Sequence, residues 1–133
     1  MPKKGRPAYM PKRKQPGNKG ENATLYNSRR WRSISTYYRM NKTVELDGYG
    51  CEVCHQIDEL STANICDHVI PISQGGAVWD MRNFMALCHH HHNVKRGYER
   101  HGLNLDTAKG DEGLIPADRQ QAINLLLKKP VTD

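Results

Sequence analysis

Apolar and polar positions divide the chain into a leading segment with almost no apolar content and a longer one with short periodic stretches. From Ser28 to about Glu45, Trp31, Ile34 and Tyr38, with Leu46 just beyond, fall near one face at helical spacing. Ser28 is a suitable N-cap, and Gly48 and Gly50 predict the stop. Ile65-Cys66-Asp67-His68-Val69-Ile70 predicts a short strand rich in β-branched residues, interrupted by Pro71. Gly75-Gly76 marks a loop, and Phe84-Met85-Ala86-Leu87-Cys88 is a second apolar run of strand length. From His89 to about Arg100 only Gly97 interrupts a plausible helix. The polar stretch 102–116, with Gly102, Gly110, Gly113 and Pro116, predicts a loop. Asp118 then caps a helix with Ile123, Leu126 and Leu127 on one face, ending before Pro130. There is no internal repeat.

Composition adds a class to this pattern. With 133 residues, 37% of them hydrophobic, the chain fits one domain with a modest core. No run approaches the roughly 18 apolar residues of a membrane span or the apolar centre of a secretory signal. The expectation is a soluble, cytoplasmic protein with no membrane partner. A net charge of +6 favours polyanions, nucleic acid first. Its distribution matters more than its size. Residues 1–21 hold seven Lys or Arg against one Glu, which is the whole excess, while 13 basic and 13 acidic residues balance over 22–133. Prolines and glycines interleave the early charges, so residues 1–22 are expected as a disordered basic arm and 23–133 as the folded domain. Lys12, Arg13 and Lys14 in the arm are candidate nucleic-acid contacts; a solubilising tail is the plainer alternative. Arg29, Arg30 and Arg32 begin a stretch with no acid among residues 22–44, which makes either a solvated face or a phosphate-contacting one.

Cysteines sharpen the chemistry. There are four, Cys51, Cys54, Cys66 and Cys88, and without a secretory signal a disulfide framework is not expected. Cys51-x2-Cys54 is either a redox dithiol, which needs a βαβ context that is missing, or half of a metal knuckle. Cys88-x2-His91 repeats the spacing downstream. Thiolate and imidazole both suit zinc, and Cys51, Cys54, Cys88 and His91 would close a tetrahedral structural site. Four consecutive histidines leave the register open, so His89 or His90 could serve instead, and His55 is another conceivable ligand. Cys66 reads as a small buried strand residue.

The order Cys51-x2-Cys54, Asp67-His68-Val69-Ile70-Pro71, Gly75-Gly76, Trp79-Asp80-x2-Asn83, then Leu87-Cys88-x2-His91-His92-x2-Lys95 resembles the HNH endonucleases, a family of ββα-metal nucleases. Tyr26-Asn27-Ser28-Arg29-Arg30-Trp31-Arg32 also resembles the lead-in of small phage-encoded members. The resemblance implies an α+β fold: a small ββα-metal module with a zinc knuckle, core motif 51–100, flanked by N- and C-terminal helices. It implies that His68, Asn83 and His92 are the signature residues, that DNA is cut to 3′-hydroxyl and 5′-phosphate ends, and that a phage terminase subunit is a candidate partner. The sequence departs from the family at His91, where zinc-bearing members usually carry cysteine.

These residue types suit phosphodiester hydrolysis on their own terms. Neutral His68 can take a proton from water. Asp67 and His92 offer an oxygen and a nitrogen to a divalent ion such as Mg, Mn, Ni or Co. Asn83, both donor and acceptor, can pin the loop that aims His68. Asp67 and His68 can serve one site only if the strand bends or ends there, whereas His91 and His92 diverge by about 100° on a helix and can face separate metals. Lys95 and Arg96 are expected to contact phosphate. The competing class is a zinc-stapled DNA-binding module without turnover, which gives no reason for Asp67, His68, Asn83 and His92 to coexist at these spacings.

Overall fold

A computed structural model of the chain describes residues 22–128. The arm expected over 1–22, with Lys12, Arg13 and Lys14, lies outside the described residues save for Asn22. The chain divides between Arg32 and Ser33 into two compact units.

In the first unit, a single turn α1 (Ala23–Tyr26) leads into α2 (Arg29–Glu45), most of which belongs to the second unit. Ser28 joins them: its hydroxyl donates to the Leu25 carbonyl at 2.6 Å and accepts the Trp31 N–H at 3.1 Å. Arg29, Arg30 and Arg32 are exposed.

In the second unit, α2 ends where Asp47 adopts φ 55° and Gly48 φ 95°, with the Gly48 N–H closing on the Thr43 carbonyl at 2.8 Å. Asp47, not only glycine, takes the left-handed step, which its short polar side chain tolerates. A short helix α3 (Glu52–Gln56) starts on Cys51. Strands β1 (Ile65–His68) and β2 (Phe84–Leu87) pair antiparallel, Ile65 with Leu87 through His68 with Phe84. The apolar run continues to Ile70, but the strand stops at His68. Beyond it, the Asn83 side chain occupies the N–H and carbonyl of Ile70, at 2.8 and 3.1 Å, that a partner strand would otherwise take. Helix α4 (His89–Arg100) follows β2 directly.

The stretch 102–116 is not all loop. It contains a hairpin, β3 (Thr107–Lys109) paired with β4 (Leu114–Pro116). These strands have three residues each and little alternation to signal them. Helix α5 (Arg119–Leu127) starts on Asp118, whose side chain accepts the Gln120 N–H, and packs against α3 and α4.

The core joins Val53 of α3, Val69 and Ile70 after β1, Met85 and Leu87 of β2, and Ala122, Ile123 and Leu126 of α5. A buried carboxylate crosses it. Glu52 is 6% exposed. It accepts the Tyr38 hydroxyl at 2.7 Å, the Ala86 N–H at 2.8 Å and the Arg119 guanidinium at 3.0 Å. This ties α2, α3, β2 and α5 with every polar group matched, as burial of a charge requires. Among the described residues, no helix is long and apolar enough to cross a membrane.

Candidate active site and metal centre

Two sites meet on the first turns of α4. The first is a four-donor cluster of Cys51, Cys54, Cys88 and His91, whose ligand atoms all lie within 4.8 Å of one another. Both halves are built alike. Cys51 is the N-cap of α3 and its sulfur accepts the Cys54 N–H at 3.5 Å; Cys88 is the N-cap of α4 and its sulfur accepts the His91 N–H at 3.5 Å. A donor at the cap and another three residues later both reach the same point beyond the helix end, which is why each half has x2 spacing. His91 closes the set through Nδ1, 3.6 Å from Cys51 Sγ and 3.4 Å from the sulfurs of Cys54 and Cys88. The Cys54 and Cys88 sulfurs are 3.8 Å apart.

In this arrangement His91 is the histidine that joins the three cysteines. His89 and His90 are exposed, and His55 is exposed with its ring against Tyr49. Burial, with His90 alongside, pushes the His91 imidazole below its ordinary pKa, so its ring is neutral and offers a lone pair. Burial pushes the Cys51 and Cys54 thiols up. Thiols this reluctant to ionise become thiolates when a cation sits among them, and the donor set therefore fits a metal ion. Cys66 lies outside the cluster.

The second site is open. Strand β1 delivers Asp67 and His68, and α4 delivers His92 and Lys95. Asp67 Oδ2 stands 3.8 Å from His92 Nε2 and 3.0 Å from the Lys95 ammonium, while its Oδ1 accepts the His68 N–H at 2.9 Å. Burial would raise the Asp67 carboxyl, but Lys95 and His92 outweigh it and hold Asp67 below the ordinary carboxylate range. Burial dominates for His92 and lowers its pKa, leaving a neutral ring. A carboxylate and a neutral imidazole facing each other, each about one-fifth exposed, fit a divalent ion that draws its remaining ligands from outside the protein.

His68 is 2% exposed. Its ring packs edge-on against Phe84, and Nε2 lies 3.0 Å from the Val78 carbonyl. A carbonyl only accepts, so Nε2 carries the hydrogen and Nδ1 the lone pair. Burial lowers its pKa and keeps the ring neutral. Asn83 is fully buried between the strands. Its carbonyl oxygen accepts the Ile70 N–H at 2.8 Å, and its amide donates to Ile70 O at 3.1 Å and Ala77 O at 2.9 Å. It thereby clamps both ends of the loop that carries Val78.

Residues 51–97 match the family model described as HNH endonuclease. The chain carries an HNH domain. No curated protein and no solved structure matches the chain. The match supports a nuclease or nucleic-acid-binding role, and nucleic acid is the partner it implies.

Within this HNH domain Lys95 departs from expectation. It is 2% exposed, not presented to a phosphate. Its ammonium is held by the His68 carbonyl at 2.8 Å, by Asp67 and by Glu99. Burial would lower its pKa, but the two carboxylates outweigh that and raise it. The four-carbon stem lets the charge reach inward from α4, a direction that spacing alone does not reveal. Arg96, the next residue, is exposed.

Three acidic residues escaped the sequence reading. Glu99 had a signal, its i,i+4 spacing from Lys95. Glu52 sits inside the Cys51-x2-Cys54 pair and looks like a solvated spacer. Glu112 lies in the β3–β4 turn, more than 30 residues from the loop amides it binds, and no local pattern marks it.

Proposed function

We propose that the protein is a metal-dependent DNA endonuclease that hydrolyses phosphodiester bonds, with His68 as general base. The observation that carries this reading is the juxtaposition of the facing Asp67–His92 pair with His68, whose Val78 bond leaves its lone pair on Nδ1. Water loses a proton to His68 Nδ1 while its oxygen forms the new bond to phosphorus. The bond from phosphorus to the 3′ oxygen breaks, and that oxygen takes up a proton to become the 3′-hydroxyl, leaving a 5′-phosphate. A divalent ion at Asp67 and His92 would supply Lewis-acid neutralisation of the phosphate charge. Lys95 keeps Asp67 ionised and aimed, and Asn83 keeps the loop around His68 in register. Both are positioning residues.

The Cys51, Cys54, Cys88 and His91 cluster is proposed to hold structural zinc. Zinc bonds of about 2.3 Å to sulfur and about 2.0 Å to nitrogen, arranged tetrahedrally, require donors about 3.8 Å apart for sulfur pairs and about 3.5 Å for sulfur with nitrogen. The cluster has 3.8 Å between Cys54 and Cys88 sulfurs and 3.4–3.6 Å from sulfur to His91 Nδ1.

Arg96, Arg29, Arg30, Arg32 and the 1–21 arm are proposed to contact phosphate, which positions the protein and carries little sequence information. Deleting residues 1–21 removes the entire formal charge excess. Weaker DNA affinity and a flatter salt dependence should follow, with cleavage chemistry retained.

The test is supercoiled plasmid incubated with the full chain and Mg2+ or Mn2+. Nicking by wild type, its loss in EDTA, its return on adding metal, and its absence in His68→Ala at unchanged folding support the assignment. Retained turnover in His68→Ala would sink the base. A binding module without turnover would shift the plasmid and leave it uncut in every lane.

A further inference from the structure

We propose that Glu112, outside the HNH match, is a positioning residue that fixes which nitrogen of His68 carries the lone pair. The inference rests on the reading of His68 as the base.

The Glu112 carboxylate accepts three successive backbone N–H groups: Val78 at 3.0 Å on Oε1, and Trp79 at 2.8 Å and Asp80 at 3.0 Å on Oε2. The middle bond is the informative one. The Trp79 N–H and the Val78 carbonyl belong to one peptide unit. That unit is planar and trans, so its N–H and C=O point in opposite directions. Holding the N–H on Glu112 therefore aims the carbonyl the other way, onto His68 Nε2 at 3.0 Å. A single rigid plane joins carboxylate to imidazole. A negative charge on the N–H side also polarises the peptide and makes its carbonyl a better acceptor.

The hairpin turn is fastened to this loop, so Glu112 does not reach it by chance of a surface rotamer. Leu114 N–H bonds the Gly75 carbonyl at 2.9 Å, Ala77 N–H bonds the Leu114 carbonyl at 2.8 Å, and Asp111 N–H bonds the Asp80 carboxylate at 3.1 Å. Gly113 approaches so closely that a Cβ there would lie 2.7 Å from the Ala77 Cα. These contacts hold the loop at Ala77 and Asp80. Between those anchors, Glu112 holds the peptide between Val78 and Trp79 directly, through the Trp79 N–H. Without the carboxylate this peptide is able to flip, His68 Nε2 loses its acceptor, and the hydrogen distributes over both ring nitrogens.

The experiment compares wild type, Glu112→Ala and Glu112→Gln as full chains in Mg2+, at a pH where the His68 ring is neutral. Ring nitrogen shifts of His68 are read by long-range proton–nitrogen correlation, beside plasmid-nicking kinetics and bound-metal content. In wild type Nε2 is the protonated nitrogen and Nδ1 the bare one. In Glu112→Ala both shifts move toward a shared average, and kcat falls by about tenfold to a hundredfold at little-changed KM, the scale of a mispositioned group. Glu112→Gln, which keeps one acceptor oxygen for the Trp79 N–H, returns both readouts close to wild type. Glu112→Ser, too short to reach the loop, replaces alanine if alanine loses the fold. Wild-type ring shifts in the truncated variant overturn the proposal, and so does a mixed tautomer with undiminished turnover. If wild type itself shows no turnover, the nuclease reading fails while the ring shifts still decide the link between Glu112 and His68.

Discussion

His91 and His92 are neighbours on α4, and they face two different sets of donors. His91 turns its Nδ1 toward three sulfurs, and the four protein donors would be enough to close a tetrahedral shell. His92 turns its Nε2 toward a single carboxylate, 3.8 Å away and partly exposed. The cluster joins the start of α3 to the start of α4, so an ion bound there would contribute to folding. The open pair offers two donors, so an ion held there would take its other ligands from outside the protein and, on the proposed reading, serve the chemistry. A helix rotates by about 100° per residue, and that rotation is enough to separate the two donor sets with no intervening residue. What differs is the supply of protein donors, four against two.

The largest way to break the comparison is Cys51→Ser. It should remove the tightly held metal and, with it, cooperative unfolding, as read by elemental analysis after dialysis and by thermal melts. EDTA sharpens the same contrast: cleavage should stop, and return with Mn2+ or Mg2+, before the cluster gives up its metal. Next comes Lys95→Met. It leaves the carboxylates of Asp67 and Glu99 without their buried cation. A loss of about 3–5 kcal/mol is expected in urea denaturation, with the cluster still loaded. Asn83→Ala follows, at about 1–3 kcal/mol for the Ile70 N–H left unsatisfied, together with a loss of turnover because the His68 loop is freed. Arg96→Ala is the smallest. It should weaken DNA binding a few-fold and reduce the salt slope by about one unit, leaving melting and metal content unchanged.

Much of this could be read from spacing. The Cys51-x2-Cys54 and Cys88-x2-His91 pairs, the two apolar runs and helix α4 all express local rules, because each depends on residues within a few positions of one another. The x2 spacing points to His91 but leaves His89 and His90 open, since identical side chains differ only in which helical direction meets α3. The inward turn of Lys95 was hidden for a similar reason: its partners Asp67 and the His68 carbonyl arrive from β1, 27 or 28 residues earlier. Hairpin β3–β4 carries too few β-branched residues to stand out, and it is stabilised by backbone bonds to Gly75 and Ala77 that no periodicity encodes. Glu52 shows the limit most plainly. Set between Cys51 and Val53 it carries no local sign of burial, yet it is the buried junction of four elements because Tyr38, Ala86 and Arg119 all converge on it.

That junction sets how the module can be transplanted. A graft of residues 51–97 alone would carry every proposed metal ligand and the His68–Asn83 pair. It would also cut away Tyr38 and Arg119, and strand the Glu52 carboxylate inside a host with only the Ala86 N–H to meet it. A chimera that keeps the cassette intact therefore runs from α2 to the end of α5, about twice the length of the recognisable motif.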